Sequence, residues 1–370
     1  MDKLQAAREI INKTDREMAR LFVERMNASK LVAEHKKEHG LPIFDAKREE
    51  EVIKNNSLLV EDIELRSFYI NFLKSTMDIS KSYQHKLLEG ARIAYSGVEG
   101  AFAHIAAKRI FPDGNLTSYT SFEESYASVV KGECDCVVLP IENSYAGEVA
   151  QVTDLMFEGS LFVTGIYDLE ITHNLLGVPG AHLSDIKTVI SHPQAISQCS
   201  GYISEKGFAA IQTSNTAMAA QSVSEKGDKT VAAIASRETA KLYNLEVIDH
   251  HINTSNTNTT RFAVFSKSEN KSVPASHTNF ILLFTVNNEA GALAKAISII
   301  GRYGFNMNAL RSRPIKGRNW QYYFYVEAEG DISGKIGELM LSELSEYCDT
   351  VKVAGKYYSE KLLSDEVDMK

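Results

Sequence analysis

Two cations stand on a helical face that the sequence predicts to be buried. From Leu4 to Val32, apolar residues recur in alternating steps of three and four, which is typical of a long helix packed against other helices. Arg25 falls on this stripe, and Lys36 projects from nearly the same face. Because a buried charge is costly unless it is paired, the pattern predicts either a site for a dianion or an arginine satisfied by a carboxylate such as Glu49.

A second group of polar residues follows predicted strands in the middle of the chain. The strands are short apolar runs: Ile93–Tyr95, Cys136–Leu139, Thr188–Ile190 and Val231–Ile234. Small or polar segments follow strands or open helices at Gly97–Phe102, Pro140–Ser144, Ser191–Gln194 and Ser214–Ala217. Helix N-termini at the carboxyl ends of strands direct free N–H groups at one crevice and favour anions. These segments therefore predict a crevice for a small acidic ligand.

Composition excludes several classes of protein. The net charge of −8 argues against a nucleic-acid partner, and it means that local cations must hold any anionic substrate. No apolar run predicts a membrane span, and the N-terminus lacks the apolar region of an export signal. The four cysteines form no metal pattern with the histidines, so His173 and His192 are expected to be structural or to line a pocket. We expect a cytoplasmic protein with reduced thiols and no metal or cofactor.

Three predicted helices occupy residues 1–89. The first ends at Gly40-Leu41-Pro42, Asp45 is placed to cap the second, and the third spans about residues 63–88. Three such helices cannot enclose a core alone. We therefore expect two copies to interlock as a homodimer, or as a dimer of dimers.

The rest of the chain divides into an α/β region and a smaller module. Alternating strands and helices predict α/β architecture for residues 90–268, and the polar stretch 267–277 predicts a linker. Residues 277–357 follow the order strand, helix, strand, strand, helix, strand, which is typical of a ferredoxin-like α+β module. The predicted elements are Phe280–Val286, Gly291–Tyr303, Met307–Ser312, Gln321–Glu329, Ile332–Tyr347 and Thr350–Lys356.

The all-α segment resembles the all-helical chorismate mutases. Eight positions carry the resemblance: Arg8, Arg25, Lys36, Asp45, Arg48, Glu49, Ser80 and Gln84. Asp45-x-x-Arg48-Glu49 opens the second helix, and Ser80-x-x-x-Gln84 lies on one face of the third. The implied reaction is the pericyclic rearrangement of chorismate to prephenate, which requires no nucleophile and no proton transfer.

The resemblance implies a role for each of these residues. Arg25 binds a substrate carboxylate, and Arg8 is contributed by the partner subunit. Lys36 and Gln84 donate hydrogen bonds to the ether oxygen of the breaking bond, and Glu49 holds the substrate hydroxyl. The pocket is completed by Arg48, Asp45 and Ser80.

The α/β region resembles the prephenate dehydratases. The matching segments are Asn258-Thr259-Thr260-Arg261-Phe262, Pro140-Ile141-Glu142-Asn143-Ser144, and Ser191-His192-Pro193-Gln194-Ala195 with Gln198. The resemblance implies a two-lobed fold like that of periplasmic binding proteins, and removal of carbon dioxide and a ring hydroxyl from prephenate. Thr260 is then the donor to the departing hydroxyl, and Arg261 holds a carboxylate or orients Thr260. The substrate is bound by Asn143, Ser191 and Gln198, with Glu142 nearby.

The C-terminal segment resembles the ACT domains attached to prephenate dehydratases. The matching motifs are Asn288-Glu289-Ala290-Gly291-Ala292-Leu293 and Arg311-Ser312-Arg313-Pro314. The resemblance implies feedback inhibition by phenylalanine, bound at a domain interface. The implied ligands are Asn288, Gly291, Ala292, Leu293, Arg311, Ser312, Arg313 and Pro314. The second motif usually begins with glutamate, so Arg311 changes the local charge by two units and leaves the strength of inhibition open.

Together these segments predict a bifunctional enzyme of phenylalanine biosynthesis that acts on chorismate and prephenate. One alternative is a dehydratase whose helical segment serves only in dimerisation or regulation, but a cation such as Arg25 on a buried face argues against it. A ligand-binding protein without turnover would share the two-lobed shape, but it would not need Thr260 and Arg261. A prephenate dehydrogenase needs a dinucleotide fingerprint, and Gly97-x-x-Gly100 lacks that spacing.

Overall fold

The computed structural model describes residues 2–39, 41–254, 257–270, 278–358 and 361–363. It divides into two compact units, Met1–Arg92 with Asp113–Asn115, and Ile93–Pro112 with Leu116–Lys370. Within the described ranges, no helix has the length and apolar character needed to cross a membrane.

The first unit consists of three helices, as predicted. They are α1 (Lys3–Glu38), α2 (Ala46–Ser57) and α3 (Ile63–Glu89). Asp45 caps α2 as expected, because its carboxylate accepts a hydrogen bond from the backbone N–H of Arg48 at 3.0 Å. Of the segment predicted to end α1, Gly40 lies outside the described residues.

The apolar stripe of α1 remains largely exposed within one chain. Leu4 and Ile11 are 55% and 56% exposed, although they belong to the predicted packing face. The residues that α1 does bury lie in its second half: Met26, Ser29 and Ala33. The first half of α1 therefore presents an apolar surface that the described residues leave uncovered.

The second unit begins with two α/β lobes. The strands and helices of the first lobe are β1 (Arg92–Ser96), α4 (Phe102–Ile110), β2 (Asn115–Tyr119), α5 (Phe122–Lys131), β3 (Cys136–Asn143), β4 (Gly147–Glu148), α6 (Ala150–Glu158) and β5 (Phe162–Glu170). Those of the second lobe are β6 (Asn174–Gly177), β7 (Thr188–Ser191), α7 (Pro193–Gln198), α8 (Ser200–Lys206), β8 (Ala209–Gln212), α9 (Thr216–Lys226), β9 (Val231–Ala235), α10 (Arg237–Leu242) and β10 (Glu246–Asp249). The four predicted strands are confirmed as β1, β3, β7 and β9.

The chain crosses between the lobes twice. It leaves the first lobe after β5 and returns after β10 as β11 (Thr259–Ser266), which inserts between β5 and β3 and runs antiparallel to both. The strand order is β5-β11-β3-β1-β2 in the first lobe and β10-β6-β9-β7-β8 in the second. The predicted two-lobed α/β region is therefore confirmed.

The C-terminal module, residues 278–358, has the predicted ferredoxin-like arrangement. Its elements are β12 (Thr278–Val286), α11 (Ala292–Arg302), β13 (Asn306–Pro314), β14 (Tyr322–Glu329), α12 (Lys335–Ser345) and β15 (Cys348–Tyr358), and β16 (Lys361–Leu363) follows. The strands lie in the order β13-β14-β12-β15. Of the predicted linker, residues 271–277 lie outside the described residues.

The module and the first lobe share one sheet and one core. β15 pairs in parallel with β5, where Gly355 lies opposite Val163, and this pairing joins the two sheets. Leu139 of the first lobe belongs to the same buried cluster as Tyr325 and Tyr357 of the module. The module therefore packs on the first lobe as part of one compact unit.

Candidate functional sites

In the helical unit, Arg25 is a half-buried cation that lacks a carboxylate partner among the described residues. Its guanidinium donates to the hydroxyl of Ser80, and to the carbonyl oxygen of Thr76 at 3.3 Å. Burial lowers the pKa of Arg25. Glu49, the carboxylate considered as its partner, instead lies 2.8 Å from Lys81. A half-buried arginine without a neutralising carboxylate fits an anion-binding site better than a structural ion pair.

Three other predicted residues stand on the same packed helices. Lys36 donates to the carbonyl oxygen of Ile43. Ser80 and Gln84, one helical turn apart on α3, are 5% and 7% exposed. The side-chain oxygen of Gln84 has no hydrogen-bond partner within the described part of the chain. This buried oxygen is an acceptor, so a donor group of a ligand, such as a hydroxyl, can satisfy it, while the amide nitrogen can donate.

The remaining predicted mutase residues lie at the surface of this chain. Arg8 is exposed, and Arg48 is exposed with its guanidinium 3.5 Å from Glu51. Asp45 is also exposed and is used as the cap of α2. The structure of a single chain therefore does not bring these three side chains to Arg25.

Between the two lobes lies a crevice of about 340 Å³. The N-termini of four helices line it: α4 at Phe102, α6 at Val149, α7 at Gln194 and α9 at Thr216. The N-caps of α4 and α6 make no side-chain hydrogen bond to their helices, which leaves backbone N–H groups available. The predicted convergence of helix N-termini on one crevice is thus confirmed, and it favours an anionic ligand.

The crevice corrects the expectation that local cations must hold the substrate. Among the described residues that line it there is no lysine or arginine, and the one acidic side chain is Glu148. One carboxylate oxygen of Glu148 is buried without a hydrogen-bond partner in the described chain, and the other is 3.8 Å from Arg313. Helix N-termini and neutral amides, rather than cations, therefore line this crevice.

Asn143 organises the floor of the crevice. Its amide nitrogen donates to the hydroxyl oxygen of Thr260 at 2.9 Å and to the side-chain oxygen of Asn258 at 2.8 Å. Because Thr260 accepts from Asn143, its own proton points elsewhere, and it has no acceptor among the described residues. The amide nitrogen of Asn258 is buried and likewise lacks a partner there. Two donors are thus left for a ligand.

His173 and Gln198 form a second polar pair in the crevice wall. The His173 Nε2 atom lies 2.9 Å from the side-chain oxygen of Gln198, and both residues line the cavity. Burial lowers the pKa of His173 although Gln198 opposes this, so the imidazole is neutral at pH 7. The structure therefore brings the predicted ligand Gln198 to the crevice.

Ser191 was predicted to bind the substrate, but it does not line the crevice. It is fully buried, and its hydroxyl donates to the carbonyl oxygen of Ile234 at 2.6 Å. Since a buried hydroxyl must find a partner, this bond across neighbouring strands β7 and β9 gives Ser191 a structural role.

Arg261 and Glu142 also point away from the crevice. Arg261 makes two hydrogen bonds to the carboxylate of Glu327, at 2.9 and 2.6 Å, and lies 3.4 Å from Glu142. Glu142 accepts from Arg311 at 2.5 Å. Of the two roles expected for Arg261, these contacts disfavour a bond to a substrate carboxylate, because the guanidinium is engaged by the C-terminal module. The other role, orientation of Thr260, stays a prediction.

The two effector motifs are arranged differently within the module. Gly291 adopts a φ of +85° at the start of α11, and Asn288 is exposed while Ala292 and Leu293 are half-buried. On β13 the side chains alternate, so that Ser312 and Pro314 are exposed. Arg313 is committed to Asp154 of α6, with its Nε atom 2.9 Å from the carboxylate.

Four functional candidates were not identified from sequence: Lys81, Glu148, Asn258 and His173 as a hydrogen-bonding residue. Asn258 lies inside the quoted dehydratase motif, so its position was available as a signal. Lys81 and Glu148 carry no local pattern that distinguishes them from surface charges. A second cavity of about 370 Å³ lies beside α4 and α10, and none of the predicted site residues lines it.

Comparison with known proteins identifies the family of each catalytic region. The chorismate mutase type II family matches residues 7–85, and the prephenate dehydratase family matches residues 93–270. The bifunctional chorismate mutase/prephenate dehydratase of Buchnera aphidicola subsp. Acyrthosiphon pisum is 31% identical over 371 residues, which cover 96% of each chain.

Two solved structures resemble the second unit. The prephenate dehydratase of Arthrobacter aurescens in complex with L-Phe is 25% identical with a TM-score of 0.67, and the match covers 72% of this chain and 89% of that one. A chain described as a novel type of quorum-quenching acylase is 32% identical with a TM-score of 0.67, covering 72% and 97%. Because the Buchnera relative matches along nearly its whole length, the chain belongs to the family of bifunctional chorismate mutase/prephenate dehydratases.

Proposed function

We propose that the helical unit rearranges chorismate to prephenate and that the crevice between the lobes converts prephenate to phenylpyruvate. Both activities follow from the family of the chain.

For the rearrangement, the enzyme must hold a folded dianion and stabilise charge on the ether oxygen. Arg25 binds a carboxylate, which is supported by its half-buried cation without a carboxylate partner among the described residues. Lys36 and Gln84 donate to the ether oxygen, and Glu49 accepts from the substrate hydroxyl. Lys81, 2.8 Å from Glu49, orients that carboxylate.

For the dehydratase reaction, the bond to the carboxylate carbon breaks and its electron pair enters the ring. The ring hydroxyl leaves and takes up a proton as water, so that carbon dioxide, water and phenylpyruvate are formed. Thr260 donates a hydrogen bond to the departing oxygen, and aromatisation supplies the driving force. The observation that carries this role is the bond from Asn143, which leaves the Thr260 proton free for the substrate.

Neutral groups bind the rest of prephenate. Asn258 and Gln198 supply amides, Asn143 acts on the ligand by holding Thr260 and Asn258, and the N-termini of α4 and α6 supply backbone N–H groups for the carboxylates.

A homodimer or a dimer of dimers explains the exposed stripe of α1. Leu4 and Ile11 would be covered by a second copy, and the exposed Arg8 would enter the site of that copy. The four cysteines are buried and none of them forms a disulfide, which suits the reducing cytoplasm that we infer as the location.

We further infer that the C-terminal module is an ACT domain through which phenylalanine inhibits the enzyme. The strand order and the turn at Gly291 support this, as does the L-Phe bound in the related Arthrobacter enzyme. The salt bridge to Glu142 neutralises Arg311, so the unusual positive charge does not by itself repel the ammonium group of an amino acid.

A coupled assay tests these assignments. Purified protein supplied with chorismate alone should form phenylpyruvate, and added phenylalanine should suppress it. Thr260→Val should lower the dehydratase rate by about 10²–10⁴-fold and leave prephenate formation intact, whereas Thr260→Ser retains the hydroxyl and most of the rate. If chorismate were untouched while prephenate is converted, the helical unit would serve only dimerisation or regulation.

A further inference from the structure

Glu142 and Arg261, which precede Asn143 and follow Thr260 in the sequence, face the C-terminal module. Asn143 of β3 and Thr260 of β11 are register partners, and the next pair along the strands is Glu142 and Arg261. Because successive side chains of a strand face opposite sides, the first pair faces the crevice and the second faces away from it. Each member of the second pair meets an opposite charge from the module.

Glu327 of β14 is the partner of Arg261. It is 3% exposed, and its two oxygens receive the two arms of the Arg261 guanidinium at 2.6 and 2.9 Å. The hydroxyls of Tyr357 and Tyr325 also donate to this carboxylate. Burial by itself raises the pKa of Glu327, but the bonds and charge of Arg261 hold it below its ordinary value, so Glu327 is ionised at pH 7. The guanidinium is thus held by a two-point bond of fixed direction.

The backbone next to Thr260 is irregular. The pairing of β11 with β3 shifts between Arg261 and Phe262, so that Ile141 of β3 has no counterpart on β11. A bulge of this kind bends the strand and increases its twist, and it is common beside active sites, where it aims a side chain. The direction of Thr260 therefore depends on contacts beyond the ladder.

We propose that Glu327 is a positioning residue for the dehydratase reaction: by holding Arg261 it fixes the part of β11 from which Thr260 reaches the crevice. Glu327 touches neither the crevice nor the substrate, so the C-terminal module completes a site that it does not enter. Arg311, which holds Glu142, acts in the same way on the facing strand. The inference rests on the proposed role of Thr260.

The test compares Glu327→Gln with the unaltered protein in both reactions of the same chain. Glutamine keeps the shape, but its amide nitrogen cannot accept from Arg261, so one arm of the bond is lost. We expect the kcat for prephenate to fall by about 100-fold with little change in KM, since small misplacement of a reacting group has effects of that size. Chorismate mutase activity, located in the other unit, should not change. Glu329→Gln on the same strand is the matched control, because Glu329 is exposed.

Two further variants separate positioning from stability. Glu327→Asp keeps the negative charge, so its kcat should be higher than that of Glu327→Gln. If the loss came only from disturbed packing, the shorter aspartate would not raise kcat above that of the glutamine variant. Tyr357→Phe removes one donor to Glu327 and should lower kcat by about tenfold, which provides a milder test should Glu327→Gln fail to fold. Each variant is assayed where thermal unfolding shows it to be fully folded.

An unchanged kcat in folded Glu327→Gln and in Tyr357→Phe would overturn the inference, and so would a change confined to KM. Thr260→Val separates this result from a failure of the proposed function. If Thr260→Val is inactive while Glu327→Gln is fully active, only the positioning role is wrong. If Thr260→Val is active, the role of Thr260 itself is wrong.

Discussion

Gly355 of β15 lies against the backbone of Val163 of β5 so closely that a Cβ on Gly355 would stand 2.1 Å from the Val163 carbonyl oxygen. This contact is the point at which the module sheet joins the sheet of the first lobe. A backbone oxygen cannot move aside as a side chain can. Glycine at this position is therefore what permits the two sheets to form one continuous sheet.

Gly355→Ala should weaken the docking of the module on the first lobe. Relief of the clash requires separation of β15 from β5, and overpacking of this kind costs about 1–3 kcal/mol. We expect a lower midpoint of thermal unfolding and a lower dehydratase kcat, since Glu327 moves with the module. Gly301→Ala in α11 is the control. A Cβ on Gly301 would meet nothing within 4 Å, so the unfolding midpoint of this variant should not fall. Equal midpoints for the two variants would contradict the close contact.

The sequence predicted the elements well but misjudged which faces they present. Successive side chains of a strand point to opposite faces of the sheet. Arg261 and Glu142 therefore lie on the face away from Thr260 and Asn143. We nevertheless assigned both charged residues to the crevice because the family motif contains them. The motif records which residues stand together, whereas the period of the strand determines which of them meet the substrate.

Other features had no signal in the sequence. Glu327 is one of two glutamates in an otherwise apolar strand, and its partner Arg261 is 66 residues away in the sequence. Ser191 was assigned from its motif, yet its hydroxyl satisfies a carbonyl oxygen of β9 that no local pattern reveals. Such pairings depend on tertiary register, which propensity and periodicity do not encode.

Mixed dimers test the proposal that Arg8 serves the partner subunit. Arg8→Ala and Arg25→Met should each abolish mutase activity as homodimers, because each site then lacks one cation. In a mixed dimer one of the two sites would contain both intact residues. Random pairing of equal amounts makes about half of the dimers mixed, so about a quarter of the full activity is expected. Prephenate conversion by the same preparations provides the control. Inactive mixtures in which mixed dimers are shown to form would place both residues in the same chain's site.

The Glu327–Arg261 pair should make stability depend on pH. The pKa of Glu327 is lowered from 4.5, so the unfolded chain binds more protons than the folded chain between that value and the folded pKa. The contribution of the Glu327–Arg261 pair to the free energy of unfolding is fully present above pH 4.5. It is lost as the pH falls through the pKa that Glu327 has in the folded protein. Removal of one partner of a buried pair costs about 3–5 kcal/mol.

We therefore expect Glu327→Gln to lower the free energy of unfolding strongly at pH 7, with a difference that shrinks below pH 4.5. Denaturant unfolding across this range measures it. The exposed Glu329→Gln should show no such trend. A difference between Glu327→Gln and the unaltered protein that stays constant down to pH 3 would exclude an ionised, paired Glu327.

The turn at Gly291 offers a test of the phenylalanine site that separates bulk from strain. Gly291 has a φ of +85°, which costs an ordinary residue about 1–2 kcal/mol, while the space around its Cβ position is open within 4 Å. Gly291→Ala adds the strain with little bulk, and Gly291→Val adds both. We expect phenylalanine to inhibit the alanine variant and not the valine variant, with the basal dehydratase rate kept in each. Inhibition curves identical to those of the unaltered protein in both variants would locate the effector elsewhere, and loss of inhibition in Gly291→Ala alone would mean that the shape of the turn, rather than the open space beside it, controls binding.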